Sequence, residues 1–404
     1  MRTLVIILIV VAVLVGGAAF YLVSTTPHTA EQVRLPLSPS HRALLGHVPA
    51  DAEAFALIPS AALLRETLLA NPVTMEPVLK WSHENELPRP WMLGGADIAA
   101  WKVGKTTSYA VRLDGFRALL IRVWLLVTST ADARWEGATL IMHEPVAPPR
   151  KLDLEPILRL ANGLPEGDVL VAQLETARGA FPPIGRPAVG SVRVTPAEIT
   201  FVSHAATNDV NEQREIRAQF PRSAILSAAF ASPPRILLDL NRLVGTRVDA
   251  LVDDGGSIAL YGVDTGGLLP RPRGVIVIPA DEEGRKQLEG IRHYAELVGE
   301  TRDAGDRLLV SFDRTSMSLY IEDATVPAAW PATRWAMRID PPRLLPILRK
   351  VGDSTGLRFA SPRILRAAQD LRRWIDALEH VSVIEAAASV SGGVEELRVR
   401  VASK

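Results

Sequence analysis

The stretch VSVIEAAASVSGGVEELRVRV, residues 381–401, predicts a β-hairpin and is the clearest sign of how this chain folds. Leu397, Val399 and Val401 alternate with polar residues, as in a strand with one buried face and one solvated face. Gly392-Gly393 between the two halves is typical of a two-residue hairpin turn. The stretch therefore predicts two antiparallel strands at the carboxyl end of the chain.

Similar hairpins recur upstream, and most follow a strand that leads directly into a helix. The hairpin candidates are residues 97–113, 190–204 and 307–321. At the strand-to-helix junctions an Asp or Ser follows an apolar strand, where its side-chain oxygen can accept from the free amides of the first helical turn. The predicted N-caps are Ser60, Asp114, Asp153, Asp239 and Asp340. Capping accounts for these carboxylates better than a catalytic cluster does.

The repeating pattern of strand, helix and hairpin predicts an α+β fold class. We expect an N-terminal transmembrane helix followed by duplicated strand-helix-hairpin modules, with antiparallel sheets covered by helices. The predicted segments are a transmembrane signal-anchor at 1–23, a linker at 24–40, an α+β module at 41–149, one or more such modules at 150–330 and a C-terminal α+β module at 331–404.

The apolar run Leu4 to Val23 contains no charged residue and has the length of a bilayer span, roughly 30 Å as a helix. An uncleaved anchor is favoured over a cleaved signal peptide, because the apolarity continues beyond a signal core. A buried helix of a soluble domain is the third reading. The residues that represent the anchor are Leu4, Ile9, Leu14, Phe20 and Val23. Arg2 ahead of the run favours a cytoplasmic N-terminus, with the bulk of the chain outside the cytoplasm.

Composition narrows the class of protein. The 404 residues carry 45 basic and 45 acidic side chains, a balance that argues against a nucleic-acid-binding surface. The chain has no cysteine, so no disulfide or cysteine-ligated metal supports it. Arginine is favoured over lysine and no glycosylation sequon occurs, which favours a bacterial source. The expected location is the bacterial inner membrane, single-pass, with most of the chain in the periplasm.

Residues 48–55, which read VPADAEAF, and the closing hairpin together carry one family resemblance. In these features the chain resembles uncharacterised bacterial membrane-anchored envelope proteins of unknown function. The resemblance covers the architecture, and it implies a cellular location and a style of fold. It carries no catalytic residues to this sequence.

Gly352-Asp353-Ser354-Thr355-Gly356 matches the G-x-S-x-G pattern of a nucleophile elbow. That elbow needs a strand before the serine and a helix directly after it. Here a helical pattern precedes Gly352, which indicates a helix end instead. Ser354 is therefore a weak catalytic candidate.

The eight histidines form no pair with metal-ligand spacing, so neither a metal site nor a cofactor is predicted. Five of the eight tryptophans lie between residues 81 and 135. Aromatic side chains are enriched at binding surfaces, although packing in a core is their commoner role. Trp81, Trp91 and Trp101 are the candidate binding-surface residues.

These observations predict a membrane-anchored extracytoplasmic protein that binds or scaffolds an envelope component and has no enzymatic activity. Its expected partners are the membrane, through the N-terminal helix, and an envelope protein or lipid, with no nucleic acid. Two alternatives remain. One is an envelope hydrolase that uses Ser354, and the other is a carrier of a lipid or another apolar ligand.

Overall fold

The chain forms two compact units in a computed structural model. The first unit comprises Met1–Pro196 and Phe201–Ala206, and the second comprises Ala197–Thr200 and Thr207–Lys404. The structure describes residues 32–84, 95–128, 133–142, 151–174, 187–207, 215–231, 255–264, 271–282, 285–286, 289, 299–311, 313–332, 334–352, 375 and 378–404.

The first unit contains an antiparallel sheet and helices on both of its faces. Its helices are α1 (Pro39–Leu45), α2 (Ala61–Ala70), α3 (Pro72–Glu84), α4 (Gly115–Thr128) and α5 (Glu155–Ala161). Its strands are β1 (Ala54–Ile58), β2 (Asp97–Val103), β3 (Thr106–Arg112), β4 (Ala133–Glu136), β5 (Thr139–Met142), β6 (Val169–Gln173), β7 (Ala188–Val194) and β8 (Glu198–Ala206), of which Phe201–Ala206 belongs to this unit. The strand order is β8-β7-β6-β1-β2-β3-β5-β4.

Residues that alternate along β1 divide the first unit into two apolar layers. Phe55 is paired with Trp101 and with Ala172, and all three pack with α1 and α5 in one core. On the opposite face α4 packs its Ala118, Ile121 and Leu125 against β3 and β5 in a second core. The sheet thus has one face under α1 and α5, and one face that α4 covers over β3 and β5.

The second unit also contains eight strands in one antiparallel order. They are β10 (Leu226–Phe230), β11 (Gly256–Asp264), β12 (Arg271–Pro279), β13 (Glu300–Asp303), β14 (Arg307–Ser311), β16 (Trp335–Ile339), β17 (Val381–Ser391) and β18 (Val394–Ser403). Their order is β13-β14-β12-β11-β10-β16-β17-β18. Strands β9 (Gln219–Pro221) and β15 (Thr325–Pro327) form a separate two-stranded sheet. The helices of this unit whose bounds are described include α6 (Arg314–Glu322) and α7 (Pro341–Gly352).

Buried side chains on both faces of β12 show that the second sheet is covered on both sides. Val275 and Val277 pack with Met317 of α6, whereas Ile276 and Ile278 pack with Phe230 on the other face. A continuous run of aliphatic residues is typical of a strand that is buried on both faces.

The two units share one strand topology. When the eight strands of the main order in each unit are numbered along the chain, with β9 and β15 left out, both units have the order 8-7-6-1-2-3-5-4. Each unit also places a helix between its fifth and sixth strands, α5 in the first unit and α6 in the second. The repeating element of this protein is therefore an eight-stranded sheet that spans about half of the chain.

The predicted fold class is wrong. The structure consists mostly of antiparallel β-sheet, with 47% strand and 26% helix, instead of α+β modules behind a transmembrane helix. Short-range patterns predicted hairpins, but the sheets depend on pairings such as Ala54 with Gln173 and Leu226 with Ile339, which join residues more than one hundred positions apart. The repeat is accordingly a complete sheet and not the strand-helix-hairpin module.

The transmembrane, single-pass and signal-anchor predictions are likewise corrected. Among the residues with a described placement, no helix is long and apolar enough to cross a membrane. Helix α4, the longest of them, has 14 residues and so extends about 21 Å, short of the roughly 30 Å of a bilayer core. The run Leu4 to Val23, with its representative residues Leu4, Ile9, Leu14, Phe20 and Val23, lies outside the described residues.

A buried carboxylate links three strands of the second unit. Glu385 is 5% exposed and lies between its direct cross-strand neighbours Arg338 and Arg400. It accepts hydrogen bonds from Arg338 at 2.8 Å and from Arg400 at 3.2 Å, and Arg400 also donates to Glu198 at 2.7 Å. The bond to Glu198 is the main cause that raises the pKa of Arg400. These four charges satisfy one another, so they bind strands together and do not form an anion site.

Replacing Glu385 with Gln should lower the free energy of unfolding by about 1–3 kcal/mol, because it removes the buried charge that both arginines contact. Arg338 and Arg400 are partly exposed, so water can solvate them after the substitution. The expected loss in the free energy of unfolding is therefore near the low end of that range. Urea denaturation of the full chain measures it. In the control Glu396→Gln, the ion pair with Arg398 is more exposed and the loss should stay within about 0.5 kcal/mol. Equal losses would contradict this account.

Asp114 caps helix α4 and also holds a buried arginine. Its Oδ1 accepts from the Arg117 amide at 2.9 Å, and its Oδ2 contacts the guanidinium of Arg117, whose side chain is 4% exposed. Asp153 instead accepts from the Glu155 amide at 3.1 Å at an exposed position. The two aspartates therefore differ in how much structure depends on them.

Asp114→Ala should destabilise the protein by about 2–3 kcal/mol, since both the cap and one ion-pair partner of the buried Arg117 are lost. Asp153→Ala should cost about 1 kcal/mol or less, because only one exposed hydrogen bond ahead of α5, whose N-cap is Leu154, is lost. The midpoints of chemical unfolding of the two variants test the difference. A smaller loss for Asp114→Ala than for Asp153→Ala would show that Arg117 does not depend on this carboxylate.

Candidate functional site

A groove of about 380 Å³ lies on the face of the first sheet opposite α1 and α5. The cross-strand register explains its floor: Ala56 pairs with Ala100 on one side and with Val171 on the other, and Val171 pairs with Gly190. Directly paired residues of an antiparallel sheet point to the same face. These four residues form the apolar row of the groove, and its alanines and valine are partly exposed.

Phe201 of β8 closes one end of the apolar row. A Cβ placed on Gly190 would lie 2.5 Å from the Phe201 Cε2 atom and 2.9 Å from its Cζ atom. The aromatic ring therefore lies directly on the glycine, and only a residue without a side chain leaves room for it. At the other end Ala100 pairs with Tyr109, and burial raises the pKa of the Tyr109 hydroxyl.

A second row along one side of the groove is more polar. Ala54 pairs with both Lys102 and Gln173, and Lys102 pairs with Thr107. The Lys102 ammonium is 3.9 Å from Glu53, whose carboxylate also accepts from the Gly104 amide at 3.1 Å. Lys102 is exposed and its ammonium has three N–H donors. This edge of the groove can therefore contact a polar group of a ligand.

The groove lining includes a small set of polar side chains. The polar side chains among the lining residues are Lys102, Thr107, Gln173 and Ser203, and none of the lining residues is a His, Asp or Glu that could act as a base. Over the part of the chain whose placement is described, no group of three or more His, Asp or Glu side chains could hold a metal ion. The groove presents small aliphatic side chains and one aromatic ring along a polar edge.

The corresponding row of the second unit is filled. There Ala228 pairs with Ile258 and Met337, at the strands that match those of Ala56, Ala100 and Val171. Both rows lie opposite the helix that joins the fifth and sixth strands. Ala228 is 6% exposed and packs in a core with Ile258 and Met337. Larger side chains thus close the row in the second unit, and smaller ones leave it open in the first.

The candidate binding-surface tryptophans have different placements. Trp101 is 2% exposed, and its side chain packs in the core under α1 and α5. Trp101 is also among the residues that line the groove, next to Ala100. Its Nε1 is buried without a hydrogen-bond partner among the described residues. Trp81 belongs to helix α3 (Pro72–Glu84), and Trp91 lies outside the described residues.

The remaining predicted site residues are mainly structural or lie outside the described ranges. Asp340 accepts from the Arg343 amide at 3.1 Å, three residues on, as Asp114 does from Arg117. Asp153 was predicted as an N-cap, but the N-cap of α5 is Leu154. Ser60 precedes α2 with a left-handed backbone, φ 53°, and its side chain makes no capping bond. Asp239 and the weak catalytic candidate Ser354 lie outside the described residues.

The residues that form the groove were not predicted from the sequence. Ala56, Ala100 and Val171 are ordinary strand residues, and no motif marks them. The one available signal was Gly190 inside a strand pattern, since an isolated glycine in a strand often marks close approach of another group.

No protein-family model, no curated protein and no solved structure matches this chain. The function therefore has to be argued from the geometry of the groove.

Gly190→Ala should lower the free energy of unfolding by about 1–3 kcal/mol, because the added methyl overlaps the Phe201 ring and the Val202 carbonyl at 3.0 Å. Thermal and urea denaturation measure the change. Gly262→Ala is the matched control, since its Cβ would meet nothing closer than Arg273 Cδ at 3.9 Å. Gly262→Ala should be close to neutral, and a loss equal to that of Gly190→Ala would rule out the Phe201 contact as the cause.

Proposed function

We propose that this protein is a non-catalytic binding protein of the bacterial envelope that holds an apolar, elongated ligand of the acyl-chain class in the groove of its first unit. The observation that carries the proposal is the partly exposed apolar row of Ala56, Ala100 and Val171. A row of this kind on a covered sheet would normally be packed, as the Ala228 row is.

The dimensions of the groove favour an elongated ligand. Its volume falls within the range of small-molecule sites, roughly 300–1,000 Å³. It extends from Thr107 on β3 to Phe201 on β8, across five interstrand spacings of about 4.8 Å, or about 24 Å. A narrow chain that lies across the strands contacts the whole row, whereas a compact ligand contacts only part of it.

The character of the lining favours an amphiphile over a purely apolar molecule. The aliphatic row offers contacts to methylene groups, each worth about 0.8 kcal/mol when it is removed from water. Lys102, Gln173 and Thr107 lie along one edge and can contact a polar head group. Lipids of the envelope combine these two parts in one molecule.

The proposal puts both units on the extracytoplasmic side of the envelope, where such lipids are at hand. Balanced charge and the absence of cysteine are compatible with this placement. Accessibility of the chain to protease in intact cells and in spheroplasts tests the location independently of the ligand.

Ala56→Leu should weaken binding of the fluorescent fatty acid cis-parinaric acid by about tenfold or more, because the larger side chain fills the middle of the apolar row. Titration of the full chain, followed by parinarate fluorescence, gives the affinity. Thr106→Leu is the matched control, since Thr106 is exposed at the start of β3, two strands away from β1, and does not line the groove.

Circular dichroism of the two variants shows whether each is folded before the affinities are compared. Equal affinities of folded Ala56→Leu and of the unsubstituted chain would refute the groove as the binding site. A chain that binds no parinarate at all would refute the acyl-chain class.

A further inference from the structure

The outward side of helix α4 is the most exposed apolar surface in the described part of the chain. Leu119 is 56% exposed and Val123 is 52% exposed, higher fractions than those of the other exposed large hydrophobic residues. They are four positions apart and so lie on one side of the helix. Ala118, Ile121 and Leu125 pack against the sheet on the other side. The helix is thus apolar toward solvent as well as toward the core.

The charge of α4 has one sign. The sequence from Gly115 to Thr128 contains Arg117 and Arg122 and no Asp or Glu. Arg117 is buried and contacts Asp114, whereas Arg122 is exposed beside Val123. The Arg122 guanidinium lies 4.6 Å from the Trp135 ring centroid, and it donates to the Gly137 carbonyl at 3.2 Å. The stacked ring holds the cation next to the apolar side chains.

We propose that the outward side of α4 binds an anionic lipid surface, with Leu119 and Val123 inserted among the acyl chains and Arg122 beside the headgroups. The helix extends about 21 Å, so it lies in the plane of the interface and does not span the bilayer. This contact would operate whatever ligand the groove of the first unit holds.

Charge complementarity selects lipid over a second copy of the chain. A symmetric pairing of two α4 helices would bring two Arg122 cations together, and the helix has no carboxylate to pair with either. Anionic headgroups supply that missing charge. The other exposed apolar pair of the first unit, Met75 and Leu79, lies on α3, whose sequence includes Glu76 and Glu84 and so suits an anionic surface less well.

The absence of cysteine permits a local probe in the full chain. In the variant Val123→Cys, a single attached nitrobenzoxadiazole fluorophore reports the surroundings of α4 alone, independently of any other apolar segment. Vesicles that contain phosphatidylglycerol should shift its emission to the blue, and doxyl-labelled lipids should quench it. The matched control is Ile321→Cys on α6, 45% exposed, which carries Glu322 in the same helix and should keep its emission unchanged.

The role of charge is tested with Arg122→Gln in the labelled protein. Its affinity for phosphatidylglycerol vesicles should fall several-fold, and added salt should weaken binding of the arginine form more than that of the glutamine form. Arg302→Gln removes an exposed arginine of the second unit and should leave the affinity unchanged.

Three results would overturn the proposal. One is an emission at position 123 that vesicles do not change. Another is a blue shift without vesicles that grows with protein concentration, which would assign the surface to a second copy. The third is equal affinity for phosphatidylcholine and phosphatidylglycerol vesicles, which would show that binding does not require an anionic headgroup. Parinarate binding by Ala56→Leu is measured without vesicles, so failure of the groove and failure of the α4 contact are separable.

Discussion

The antiparallel pairing of β1 with both β2 and β6 is the constraint on which the rest of the first unit depends. It joins residues near position 55 to residues near position 172, so the entropy of a long loop is lost before any contact forms. Once the register is set, Phe55 and its partners point toward α1 and α5, and Ala56 and its partners point the other way. A shift of one residue would exchange the two faces and place the core side chains in solvent.

The local elements could be read from the sequence, and their assembly could not. The closing hairpin could be predicted because its signals, alternating apolar residues and a Gly-Gly turn, lie within a few residues of one another. The structure pairs β17 with β18, and the φ values of Gly392 and Gly393 are 57° and 78°. The pairing of Leu226 with Ile339 leaves no such mark, since nothing in either strand specifies a partner at that distance. The N-cap signals of Asp114 and Asp340 were equally local, and both side chains accept from the first turn of a helix. The groove could not be predicted from the sequence, because it is formed by small side chains on three strands and none of these residues belongs to a recognisable motif.

Trp101 illustrates why residue type alone is a poor guide to a site. Its large aromatic side chain made it a candidate for a surface, yet its strand position pairs it with Phe55 and places it under α1. Its neighbour Ala100, which has almost no side chain, lines the groove on the opposite face. Successive residues of a strand point to opposite faces of the sheet, so whether a position is odd or even decides whether its side chain faces the core or the groove.

The recurrence of one strand order in both units has an evolutionary meaning. Two copies of a fold within one chain provide redundancy, since one copy can retain a tightly filled interior while the other accumulates smaller side chains. The second half has Met337 and Ile258 at the positions where the first half has the smaller Val171 and Ala100, which agrees with such a difference between the two copies. Under that history the two halves should tolerate mutation differently: the filled half would be constrained by packing, and the open half by whatever occupies it.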